Sequence, residues 1–301
     1  MKKFILFLLT SCLAVICNAS DIQVKISDGV DSDRLKIKME ITTARILNEV
    51  NDAQAQNRGL NFQAMSVNES VSRSMSLLWE NTPFVCTEEL IIERCITTKS
   101  GYQVRNIPLL IKPRGDHEFN EDENMEAVIS FDKNGNVESF YLTISQSLYI
   151  NVIKDYEEVT DLRCRQIMLD FVEQLYTAYY QHDITFLNQV FSDETVTIIG
   201  KEQMNEYIAR LRKIISSLSF IKVKFDEIEI MHHPFKKDYY CVTLHQGYST
   251  SAYHDDGYLF LLWDFTNEDT PQILARAWQP GRTNGKTLPK DEVFKLWNFE
   301  I

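Results

Sequence analysis

Several signatures of common chemistries are missing from this chain of 301 residues. No nucleophile elbow, P-loop or glycine-rich dinucleotide fingerprint occurs after the first twenty residues, so no local motif points to hydrolase, nucleotide or nicotinamide chemistry. A serine-histidine-acid triad is set by geometry and leaves no such trace, and nothing here favours one. Cysteine is scarce. Of six, Cys12 and Cys17 lie in the apolar N-terminal run, leaving Cys86, Cys95, Cys164 and Cys241. These are too few for a disulfide framework and none has zinc-finger spacing. The stretch FVCTEELIIERC reads as one continuous strand. Nine extended residues from Cys86 to Cys95 span about 30 Å, beyond disulfide reach, so buried free thiols are expected.

Positive charge is also short. Thirty-one lysines and arginines, Lys2 and Lys3 among them, face 43 acids for a formal net charge of −12. Such a surface repels phosphate backbones and anionic lipid heads, so neither nucleic acid nor a membrane surface is expected as a partner. The acids are scattered, which makes them ordinary solvated surface.

Only one long apolar run exists, Phe4 to Cys17. It follows two lysines and precedes the small residue Ala19 and a polar start at Asp21. This is the pattern of a secretory signal peptide, so residues 1–20 are read as a signal and the remainder as periplasmic or extracellular. The run is too short for a membrane span and no stop-transfer segment follows. Leu9 to Cys12 loosely resembles a lipoprotein cleavage box. Leu13 to Ile16 still lie ahead of Cys12 in the apolar run, which argues against lipid anchoring.

The rest has α+β character. After a strand-like IQVKI (Ile22 to Ile26), Asp33 to Gln56 has the spacing of a long amphipathic helix, and Asn68 to Trp79 that of a second. Phe84 to Thr97, Tyr102 to Ile111, Glu126 to Phe131 and Val137 to Ile144 read as strands. Asn134-Gly135 between the last two predicts a type I′ hairpin. The plan then restarts. Leu162 to Gln181 reads as a long helix, Ile184 to Phe191 as a short one, Val196 to Ile199 as a strand and Glu202 to Ile215 as a third helix. Long strands follow at Phe220 to Met231, Tyr239 to Thr250, Tyr258 to Phe265 and Ile273 to Gln279. Helices followed by an antiparallel meander, twice over, predict tandem domains at 21–155 and 161–301. In FIKVKFDEIEIM the apolar alternation slips by one residue at Asp226-Glu227, which predicts a β-bulge and a bent sheet.

The second half, with LDFVEQLYTAYYQHDITFLNQVFSDETVTIIG at its start and GYLFLLWDF, ARAWQP and DEVFKLWNF at its end, resembles the nuclear transport factor 2-like superfamily, related to the cystatin-like fold. The first half resembles it more weakly, through one long helix and AVISFDKNGNVESFYLTIS. The resemblance implies cone-shaped domains, each with N-terminal helices packed in a curved antiparallel sheet. It also implies pairing of two copies through sheet faces, which the two-sided apolar strand Tyr258 to Phe265 would suit. Function is not implied, because relatives include isomerases, dehydratases, transport adaptors and assembly domains.

The richest stretch for chemistry is LHQGYSTSAYHDDGYLFLLWDF, Leu244 to Phe265. Asp255-Asp256-Gly257 reads as the hairpin tip, which puts His245 ten residues away and out of reach of both acids. Asp264 lies in a run apolar on both faces. It is read as a structural acid that reaches solvent or pairs with Arg276, with a general acid or base as the rival reading. His245 is read as a structural sheet histidine, again with catalysis as the rival. Tyr248 would be the hydroxyl partner in an isomerase- or dehydratase-type site. Tyr179, Gln246, Tyr248, Trp263 and Trp278 are the candidates for lining a ligand cavity. No metal or cofactor is expected: His232-His233 and Cys241 lack partners at ligand spacing. The acidic stretches from Asp116 and Asp132 lack the glycine and closing glutamate of a calcium loop. The preferred function is a non-enzymatic binding module that holds a small apolar molecule in the cone or a protein on the sheet face.

Overall fold

The computed structural model describes residues 21–63, 65–112, 124–156, 158–197, 203–283 and 286–295. Residues 1–20, read above as a signal, with Cys12 among them, and most of the acidic stretch from Asp116 lie outside them. Strand β1 (Gln23–Ile26) leads into α1 (Asp33–Ala55), whose first turn is capped by Ser32 accepting from the Leu35 N–H. Helix α2 (Glu69–Asn81) is capped in the same way by Asn68, which accepts from the Val71 N–H at 2.8 Å.

The predicted strand Phe84 to Thr97 is three strands instead, β2 (Phe84–Cys86), β3 (Leu90–Glu93) and β4 (Cys95–Thr97). β2 and β4 pair with different stretches of β5 (Gly101–Ile111), whose register shifts between Val104 and Ile107, with Asn106 in the left-handed region (φ 56°). β3 leaves that edge to pair in parallel with β1. The four cysteines beyond residue 20 are free and buried, although the extended geometry invoked between Cys86 and Cys95 does not exist.

Strands β6 (Asn124–Asp132) and β7 (Val137–Thr143) complete the N-terminal sheet, ordered β2-β5-β6-β7. Their turn is not type I′: only Gly135 has positive φ (72°), and the Asp132 carboxylate accepts from the N–H groups of both Asn134 and Asn136 at 2.8 Å. Helix α3 (Gln146–Lys154), unforeseen from the sequence, follows at once, with Tyr149 and Val152 buried.

Helix α4 (Val159–Gln181) opens the second half, followed by α5 (Leu187–Val190), β8 (Phe191–Thr197) and α6 (Met204–Ile215). The meander β9 (Ile221–His232), β10 (Tyr239–Thr250), β11 (His254–Asp264) and β12 (Gln272–Pro280) then forms a five-stranded sheet ordered β8-β12-β11-β10-β9. It is antiparallel apart from the β8-β12 pair. The predicted bulge is present: His245 faces Glu227 and Gln246 faces Phe225, which leaves Asp226 as the extra residue. The β10-β11 tip, however, lies at Thr250 to Tyr253. There the Thr250 hydroxyl accepts from the N–H groups of Ala252 and Tyr253, closing the chain before the acids are reached.

Each half therefore packs helices on an antiparallel sheet, and α4 serves both. Towards the C-terminal sheet, Phe171 sits edge-on to Trp263 with ring centroids 5.0 Å apart, and Tyr179 meets Tyr248 at 5.5 Å. Towards the N-terminal sheet the same helix presents polar groups. Glu173 pairs with Arg105 and Thr143, Asp170 accepts from the Gln103 amide at 2.9 Å, and Thr177 accepts from the Leu142 N–H at 2.8 Å. Arg105 also lies over the Tyr149 ring, 3.7 Å from its centroid. Arg105 and Glu173 are each 1% exposed. One apolar core runs from Ile22 through α4 to Ile273.

Replacing either Arg105 or Glu173 with Leu strands the other charge in the interior and is expected to cost about 3–5 kcal/mol. The double variant should cost less than either single one, as read by denaturant unfolding. Asp170 gives a second expectation. Burial first, and the neighbouring Glu173 charge next, push its carboxyl from 3.8 up to about 7, against the opposing influence of Gln103 and Arg105. The folded chain then holds this proton more tightly than the unfolded chain. The stability attached to it should be complete below about pH 4, fall as pH rises to about 7 and stay flat above. Asp170→Asn should remove that slope from a series of unfolding curves.

Candidate functional site

The bulge at Asp226 bends the C-terminal sheet, and strand alternation sends Tyr240, Val242, Leu244, Gln246 and Tyr248 to its inner face, where Gln246 and Tyr248 are buried. Strand β12 adds Arg276 and Trp278. Helix α6 adds Tyr207, Arg210, Leu211 and Ile214, which share one face at offsets of three and four residues. With Tyr179, Tyr253 and Asp255 they enclose a cavity of about 330 Å³. The Gln246 amide donates to the Tyr179 hydroxyl at the long distance of 3.5 Å. Arg276 lies over the Tyr207 ring, 4.3 Å from its centroid, and Arg210 lies 5.5 Å from the same ring. Among the described residues Arg276 makes no ion pair. Burial raises the pKa of the Tyr179 and Tyr248 hydroxyls, so both act as protonated hydrogen-bonding groups at neutral pH.

Four of the residues singled out in the sequence, Tyr179, Gln246, Tyr248 and Trp278, meet in this cavity. Trp263 does not; it packs on Phe171 and borders a different cavity, between the two sheets. Asp264 ends β11 opposite Tyr239, where it accepts from the Thr266 N–H at 2.7 Å. The predicted pairing with Arg276 is absent, because Arg276 projects into the cone.

His245 occupies the outer face, and the distance inferred for it from the sequence is overturned. Because the hairpin turns at Thr250 to Tyr253, His245 stands opposite Tyr258 and close to Asp256. Its Nδ1 lies 2.5 Å from the carboxylate of Asp226, and its Nε2 3.6 Å from that of Asp256. The adjacent acids Asp255 and Asp256 are divided by the sheet: Asp255 lines the cone and Asp256 faces His245. Asp264, His245 and Tyr248 therefore form no common site. His245 and Tyr248 are on opposite faces, and Asp264 is six register positions from His245 along β10. The outer face is covered in part by the chain itself, through Phe294 and the pairs Lys290–Glu227 and Lys295–Glu229.

Sequence reasoning passed over Tyr207 and Arg210, whose helical spacing on α6 was a usable signal, and Asp170. The signal for Asp170 was a polar stripe, Asp170, Glu173 and Thr177, on a helix otherwise read for its apolar face.

No family model matches the chain and no curated protein does. Solved structures match, and several of them are nuclear transport factor 2-like proteins. One from Cytophaga hutchinsonii is 15% identical, with 38% of this chain covering 97% of that one at a TM-score of 0.33. A candidate dehydratase of the same family from Streptomyces avermitilis is 12% identical, with 42% covering 100% at 0.35. A superfamily protein from Salmonella enterica is 17% identical, with 40% covering 92% at 0.32. Likeness at these identities concerns fold, and the scores are too low to carry an argument about site or activity. The description of the fold rests on the chain's own order of elements: long helix, short helix, strand, helix and antiparallel meander.

Gly257 offers a direct test of the cavity wall. It lies within β11, and a Cβ there would come 2.5 Å from the Gln279 carbonyl oxygen and 2.6 Å from Cζ2 of Trp278. Gly257→Ala is expected to destabilise the chain by about 1–3 kcal/mol and to shift the Trp278 ring, read by denaturant unfolding and tryptophan emission.

Proposed function

We propose that the protein is an exported, non-enzymatic binding module whose C-terminal cone holds a small molecule with an aromatic or apolar body and one anionic group. The observation that carries this reading is the Arg276 guanidinium, stacked on Tyr207 inside a largely aromatic cavity and without an ion-pair partner among the described residues. Arg276 is half-buried, and a ligand carboxylate would pair with it through charge-assisted hydrogen bonds. Trp278, Tyr248 and Tyr207 offer ring faces to the body of the ligand, and Gln246 and Tyr179 offer polar contacts for orientation. The wholly apolar ligand anticipated from the sequence is amended on this account. The support for export is the pattern of residues 1–20.

A catalytic reading has less support. Asp264, His245 and Tyr248 do not converge, and the Tyr179 and Tyr248 hydroxyls are held protonated. A protein partner on the outer sheet face has less support too, since the segment around Lys290 to Lys295 occupies part of it.

The probe we would use is 1-naphthoate, a fused aromatic body with one carboxylate, followed by isothermal titration. Wild-type protein is expected to bind it, and Arg276→Gln to bind about 10- to 100-fold more weakly, the loss expected for a hydrogen bond to a charged group. Equal binding by the two proteins, or none by either, would remove the ionic anchor and the reading with it.

A further inference from the structure

A second cavity lies on the other side of α4, between the two sheets, and at about 460 Å³ it is larger than the cone. The N-terminal sheet contributes Gln103, Ser130 and Tyr141, α4 contributes Asp170 and Gln174, and β11 contributes Trp263. An adjoining cavity of about 350 Å³ shares Glu138, Ser139, Tyr141, Gln174 and Gln189 with it, so the two make one elongated polar cleft along the helix.

The hydrogen-bonding inventory of this cleft is incomplete in a consistent way. Asp170 is surrounded by protein yet keeps part of its surface in the cavity. Only one of its oxygens is engaged, by Gln103. Among the described residues, the Tyr141 hydroxyl and the Gln174 amide have no protein partner. The indole N–H of Trp263, a residue 1% exposed, finds no acceptor. A buried donor without an acceptor, as at Trp263, is rare in native proteins, and the half-exposed groups beside it are free to bond an occupant that supplies their complement. The character of the occupant follows from what lines the larger cavity: hydroxyls, primary amides, three carboxylates (Glu138, Asp170 and Asp269), three aromatic side chains (Tyr141, Phe171 and Trp263), and neither lysine nor arginine. No lysine or arginine lines this cavity to receive an anion, Arg73 of the adjoining one is paired with Glu69, and the density of polar groups disfavours a hydrocarbon.

We infer that this cleft is a second binding site, distinct from the cone, for an uncharged polyhydroxylated ligand of saccharide type. Each hydroxyl of such a ligand both donates and accepts. It can give a proton to the free oxygen of Asp170 while accepting from Tyr141 or from the amide of Gln174. Above about pH 7, where Asp170 is ionised, hydroxyl donation to its carboxylate is the stronger, charge-assisted kind of bond. The ring faces of Trp263 and Phe171 form the apolar wall on which a sugar's C–H face can rest. A cavity of several hundred cubic ångströms is within the range of small-molecule sites, and its continuation past Gln174 suits more than one sugar unit.

The test is saturation-transfer NMR on the full chain with a fixed panel of glucose, N-acetylglucosamine, cellobiose, maltose and chitobiose. At least one member is expected to receive saturation, with the disaccharides ahead of their monomers. Asp170→Asn, which keeps the shape and removes the charge, should weaken that binding by about 10-fold or more. Gln174→Leu, on a half-buried position, should weaken it as well. Arg276→Gln should leave it unchanged, which separates this site from the cone. The inference is overturned if no panel member binds the wild-type protein. It is equally overturned if binding persists undiminished in both Asp170→Asn and Gln174→Leu, or if it is lost in Arg276→Gln.

Discussion

Arg105 and Glu173 are both shut away from water, one on a strand of the N-terminal sheet and the other on helix α4. Two charges so buried are tolerated only when they face each other and their remaining hydrogen-bonding positions are filled. Here Gln103 and Thr143 fill most of them and the Tyr149 ring lies against the guanidinium, while Nε of Arg105 is left without a partner among the described residues. The requirement fixes how α4 lies: its polar stripe must meet β5 and β7. Its apolar side, with Phe171, Leu175 and Tyr179, is thereby turned into the hollow of the C-terminal sheet. A helix buried on both sides is what joins the two halves into one core.

That placement also accounts for two cavities of opposite character on the two sides of one helix. On the C-terminal side the bend at Asp226 lifts the sheet away from α4 and leaves a cone walled by aromatic rings and two guanidinium groups. On the N-terminal side a sheet face carrying Gln103, Ser130 and Tyr141 meets Asp170 and Gln174, and the space left is polar and acidic. The raised pKa of Asp170 belongs to the same arrangement, because burial and the Glu173 charge both act on a carboxyl that Gln103 and Arg105 only partly support.

Particular residues show where local reading sufficed and where it did not. The helices from Asp33 and Asn68 were legible because apolar period and capping residues are local properties, and the one from Leu162 through its period alone. The bulge at Asp226 was legible because a slip in alternation is local as well. The hairpin tip was misjudged because Asp-Gly competes with any nearby Thr or Ser that can close a turn, and Thr250 wins through two side-chain bonds to the backbone. The segment Phe84 to Thr97 was misjudged because its breaks follow from partners far away in sequence, β1 for Leu90 to Glu93 and two stretches of β5 for the rest. Pairing with Arg276 was one of two alternatives read for Asp264, the other being contact with solvent, and the face of β12 decides that Arg276 enters the cone instead.

What the sequence by itself determined is the α+β class, the order of helices before meander in each half, and the bend of the C-terminal sheet. These depend on periodicities of two and 3.6 residues that each segment carries within itself. Only the tertiary structure decided which side chains share a space. It set His245 against Asp226 and Asp256, divided Asp255 from Asp256, moved Trp263 out of the cone and placed Asp170 in the cleft between the sheets. Such meetings depend on strand register and on the two faces of α4. A shift of one residue in a turn reverses every side chain beyond it, so no local pattern can fix them.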